Sequence, residues 1–168
     1  MKGLATMSLM VALALSACGA TGVPFGLGIF DRPATRLDRL PAIVVSFDPF
    51  LSEGPARFVG VAGNDRYWAV RYSDQFCLVS LPPAPRHRIG PAESCGQLAS
   101  LRHAPSVSLQ PTSHGVQVLG VVRDGYDHVT VEGVREPVPV RGNVFIATSP
   151  FRHPRLTASG PHVPDESL

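Results

Sequence analysis

The sequence predicts an all-β fold, a small antiparallel sandwich or partly open barrel with one or two short helices, and three features predict it. Seventeen prolines interrupt the chain, and an interior proline removes a helical hydrogen bond and collides with the preceding turn, so long helices are excluded. The proline-free stretches 56–81 and 112–136 contain short runs that alternate apolar and polar residues, the period of a half-buried strand. Clusters such as Gly63-Asn64-Asp65-Arg66 and Gly142-Asn143 break these runs where a hairpin turns.

Ahead of that body, Lys2 precedes an apolar run over 4–14, the charge and length of a secretory signal. The uncharged stretch 3–17 is too short to cross a bilayer, which takes about 20 apolar residues. It closes on Leu15-Ser16-Ala17-Cys18, which resembles the lipobox of bacterial lipoproteins. In that family the signal, here 1–17, is cut before the cysteine, here Cys18, whose sulfur carries a diacylglycerol. Acyl burial contributes about 0.8 kcal/mol per methylene, and two chains anchor stably where one is marginal. The resemblance thus implies a protein on the cell membrane, lipid-anchored and facing the outside of the cytoplasm. Gly19 stands where lipoproteins retained in the inner membrane of two-membrane bacteria carry an aspartate. Ala12-Leu13-Ala14 also suits an ordinary signal peptidase, but that cleavage leaves Cys18 as an odd thiol.

Residues 18–32 read as the lipidated N-terminal tether. They are glycine-rich yet carry Phe25, Leu27, Ile29 and Phe30, which suits docking on the body or the bilayer interface better than a polar linker. The body, 33–158, is of a size for one domain. The polar tail 159–168, with Pro161 and Pro164, is expected to fray. Without Lys2 the chain has no lysine, and its arginines nearly balance its carboxylates. No strong field toward nucleic acid follows.

Within the body, 34–40 reads as a short helix stopped by Pro41. Runs 57–62, 67–72 and 76–81 follow as a three-strand meander. Cys77 and Cys95 are an even pair in an oxidising compartment, so a disulfide is expected, worth about 3 kcal/mol in the chain-entropy model. A second short helix over 93–101 would place Cys95, Leu98 and Leu101 on one face. Runs 116–122 and 128–132 read as a hairpin turning through Asp124-Gly125. Pro137 and Pro139 put 138–141 at a sheet edge, and 144–148 is a further strand. The segments Phe76-Cys77-Leu78-Val79, Ser94-Cys95, Gly120-Val121-Val122-Arg123-Asp124-Gly125, Val129-Thr130-Val131 and Asn143-Val144-Phe145 look like small actinobacterial exported proteins without assigned activity. That likeness covers under half of the chain and implies a disulfide-bearing envelope β domain without a catalytic residue.

Chemistry-bearing residues are few. His128 and Glu132 share a strand face but lie roughly 13 Å apart, too far to share one ion, and no other spacing suggests a metal or cofactor. Asp124 and Asp127 suit turn capping. Neither Gly-x-Ser-x-Gly nor Ser-x-x-Lys occurs, and the mature chain's lack of lysine removes Schiff-base and P-loop chemistry. Arg86 and Arg88, and Arg152 and Arg155, form small basic clusters suited to solubility or to phosphate contact. Trp68 falls on the core face with Val70, and Tyr67 points the other way as a candidate ligand contact. The expectation is a noncatalytic binding or structural module whose partner is an envelope protein or a cell-wall polymer. The alternatives are a small secreted hydrolase with a triad assembled from distant residues and a cell-wall polyanion binder.

Overall fold

A computed structural model describes residues 26–83, 90–102, 104–161 and 163–167. The first sheet takes β1 (Ala56–Ala62), β2 (Asp65–Tyr72), β3 (Gln75–Leu81) and β4 (Ala92–Gln97) in sequence order, all antiparallel. Downstream, β5 (Ser106–Thr112), β6 (Gly115–Val121), β7 (His128–Val131), β8 (Val138–Pro139), β9 (Val144–Ser149), β10 (Leu156–Gly160) and β11 (Val163–Ser167) divide between two sheets. Their orders are β5-β6-β9 and β11-β10-β7-β8.

Strand alternation makes the middle sheet a shared layer. Leu119 and Val121 of β6, with Val144, pack against Tyr67, Ala69, Phe76 and Leu78 of the first sheet. The intervening Val116 and Val118, with Phe145 and Ala147, pack against Val129, Val131, Leu156 and Ala158 of the third. Gly120 stands opposite Phe145, where a Cβ would come within 2.1 Å of the ring, so only glycine leaves room for it. The far face of the first sheet, Val70, Cys77 and Val79, is covered by Val44 of α1 (Ala42–Phe47) and by Leu51.

The all-β class, the meander and the disulfide are as the sequence predicts. Cys77 and Cys95 are directly opposed on β3 and β4, with Cα atoms 4.0 Å apart. The 116–122/128–132 hairpin is corrected: β6 pairs with β5 and β9, whereas β7 pairs with β10 and β8. The reason lies in the connection, where buried Val122 and Tyr126 carry the chain across the second core and Asp124 bonds to distant residues. The 93–101 helix is also replaced, by β4 and a 3-10 turn over Leu98–Arg102, because the bridge to Cys77 holds Cys95 in a strand. Over 34–40 the chain makes only a 3-10 turn, Arg36–Asp38. Pro41 caps the start of α1, a place where its missing N–H costs nothing.

Both ends of the described chain join the body. From Gly26 on, the stretch assigned to the tether is packed, with Leu27, Ile29 and Phe30 buried in the first core. Arg57 fastens this segment to β1, donating to the carbonyls of Phe30 (3.2 Å) and Arg32 (3.0 Å). The stretch expected to fray supplies the end of β10 and all of β11, with Val163 buried against the second core.

Candidate functional site

β1 is an outer strand, bonded on one side only, to β2. An edge of this kind exposes backbone donors and acceptors unless something covers them. At Phe58 an ion pair does so: Asp38 accepts the Phe58 N–H (2.7 Å) and Arg32 donates to its carbonyl (3.3 Å). Arg32 and Asp38 meet through two bonds, 2.6 and 2.8 Å long. The Thr35 N–H and hydroxyl also bond to Asp38. The Arg32 guanidinium, aided by the Phe58 and Thr35 N–H groups, outweighs burial and holds the Asp38 carboxyl far below the usual carboxylate range. The register then shifts at a bulge between Phe58 and Gly60. Beyond it, to Ala62, the outer edge has no partner among the described residues.

A groove runs beside this edge as two recesses of about 240 and 270 Å³, both bordered by Val59 and Arg141. The first lies against Gly28, Ile29 and Phe58, and the second against Val61, Val138 and Ile146. Edges of all three sheets meet here, from β1, β8 and β9. Val61 is 60% exposed. The Arg141 guanidinium is exposed and has no hydrogen bond or ion pair among the described residues.

The backbone of Arg141 is held by a bond from its N–H to the Val144 carbonyl (2.8 Å). The turn between them uses Gly142 at φ 54° and Asn143 at φ 70°, left-handed conformations that glycine and asparagine adopt most readily. The Asn143 side chain donates to Asp124 (2.7 Å) and accepts the Ile29 N–H (3.1 Å). Asp124 accepts the Gly28 N–H (3.0 Å), and its own N–H donates to the Gly26 carbonyl (3.2 Å). One polar node thus joins the N-terminal segment to the turn that carries Arg141.

The residues singled out from sequence are placed differently. Tyr67 is fully buried between the first two sheets and donates to Gln117 (2.7 Å), so it is corrected from ligand contact to core. Burial is the main reason its hydroxyl is pushed up to about 12. Trp68 is buried, as expected. Arg152 and Arg155 are exposed in the turn before β10, outside the groove. Cys18, Arg86 and Arg88 lie outside the described residues. The sequence reading missed Arg141, Val61 and the Arg32–Asp38 pair, for which the only local signal was Gly142-Asn143 beside an arginine.

Asp127 contacts Nδ1 of His128, and Ser159 stands opposite His128 on β10 without a hydrogen bond to it. Among the described residues no three metal-ligating side chains gather. No protein-family model, curated protein or solved structure matches this chain.

Proposed function

We propose that this chain is a lipid-anchored extracytoplasmic lipoprotein of the bacterial envelope, a noncatalytic module that binds a partner through its converging sheet edges. The observation that carries the reading is the docking of the N-terminal segment. Gly26, eight positions after Cys18, is already bonded to the body through its carbonyl. Eight residues span at most about 28 Å fully extended, so a lipid on Cys18 would hold the groove close to the membrane.

The test compares the wild type with Cys18→Ala in the native host. The wild type is expected in the membrane fraction, labelled by an alkyne fatty acid and degraded when protease is added outside the cytoplasmic membrane. Cys18→Ala is expected to lose the label and leave that fraction. Label retention by Cys18→Ala, or protection of the wild type from external protease, contradicts the reading.

One observation favours a hydrolase as the second reading: Asp127, His128 and Ser159 come together on the third sheet. Labelling by a fluorophosphonate that disappears in Ser159→Ala would support it, and no labelling of the wild type would remove it.

A further inference from the structure

We infer that the groove beside β1 takes an extended, carboxylate-bearing peptide segment, added as a strand to the open edge with its carboxylate on Arg141. This rests on the reading of the chain as a binding module and names the chemistry of its partner. An open strand edge offers main-chain bonds at the spacing of another strand, and pockets beside it take alternate side chains. The protein covers its own edge at Ala56, whose carbonyl accepts from Arg57, and at Phe58, with Arg32 and Asp38, and leaves the part from Gly60 to Ala62 open among the described residues. The open part faces a recess of mixed lining, with Val138 and Ile146 on its apolar side and Arg141 on its polar side.

The charge selects the occupant. Asp38 and Asp124, which hold the walls of the groove, are already bonded to Arg32 and Phe58 and to Gly28 and Asn143. Arg141 alone is left without a partner among these groups, at the junction of the two recesses. A guanidinium takes a carboxylate through paired, charge-assisted hydrogen bonds. A cell-wall polyanion would call for a row of unpaired cations, and the groove presents one beside the side chains of Val59, Val61, Val138 and Ile146. A peptide with one carboxylate among apolar residues matches that pattern.

The test places a photoreactive residue at the open edge, Val61→p-benzoylphenylalanine, in the full-length protein within its native envelope. Irradiation is expected to yield a protein adduct whose crosslinked segment alternates apolar residues around an Asp, Glu or C-terminal carboxylate. Arg141→Glu is expected to lower the yield about tenfold. An unchanged melting temperature shows that this variant folds, and Arg141→Gln replaces it if the melt shifts. The same photoreactive residue at Phe151, which is 48% exposed on another surface, separates the outcomes. Adducts at position 61 with lipid or polymer only, or a protein adduct indifferent to Arg141, overturn the inference. Protein adducts from position 151 alone overturn it and leave a binding role standing at a surface other than the converging edges, whereas adducts from neither position overturn both.

Discussion

Asp38 joins three parts of the chain with one carboxylate: Arg32, the Thr35 turn and the Phe58 edge of β1. Its depressed pKa means that this stabilisation is complete above the ordinary carboxylate value of 3.8 and is lost as pH falls below it toward the folded value. Asp38→Asn should therefore destabilise the protein at neutral pH, by about 2–3 kcal/mol. The loss stays below that of a sealed ion pair because the Arg32 side chain remains 37% exposed. Urea midpoints measured from pH 6 down to pH 2 check this: the difference between variant and wild type should shrink on the acid side. A gap that stays constant with pH would mean that Asp38 acts through packing alone. None of this was visible in sequence, where Arg32 and Asp38 are two charges in a proline-flanked stretch and their common target lies 20 residues beyond Asp38.

At the scale of elements, legibility followed strand-forming runs bounded by turn signals. β1 to β3 were readable because such runs are broken at Gly63-Asn64 and Ser73-Asp74, although β2 and β3 are buried on both faces. β4, Ala-Glu-Ser-Cys-Gly-Gln, has no such face and imitates a helix, and only its bond to Cys77 identifies it as a strand. β6 was readable as a strand but not by partner, because Val-Gln-Val-Leu-Gly-Val is buried on both faces and gives no hint of which sheet lies on which side. The disulfide was legible from parity alone. It joins neighbouring strands around the 82–91 connection, and Cys77→Ser with Cys95→Ser should cost about 3 kcal/mol in the chain-entropy account. Thermal melting of the double variant, and of the wild type with reductant, checks this, and an unchanged melting temperature in both would show that the strand pairing holds without the bridge. The candidate groove was illegible because it is built from the Gly28 segment, β1, β8 and the Arg141 turn, which only the fold brings together.

At the scale of the molecule, the three sheets form two cores that share one middle layer, and the N-terminal segment is built into the first of them. Docking then leaves eight positions between Cys18 and Gly26, the first residue seen bonded to the body. Gly26 is the sensitive point, since a Cβ there would come within 2.2 Å of the Asp124 carboxylate. Gly26→Val should displace the segment, at a cost of about 1–3 kcal/mol. Amide exchange at Gly28 and Ile29 should accelerate in the variant, because their N–H groups are held by Asp124 and Asn143. Unchanged protection at both amides would show that the segment tolerates the new side chain in place.

The claim on which the tethered role depends is chemical and concerns a single sulfur. Intact-mass and N-terminal peptide spectrometry of the protein purified from its own membrane is predicted to find a chain beginning at Cys18, with a diacylglyceryl group on the sulfur. A chain that retains residues 1–17, or one that carries Cys18 as an unmodified thiol, would contradict the account.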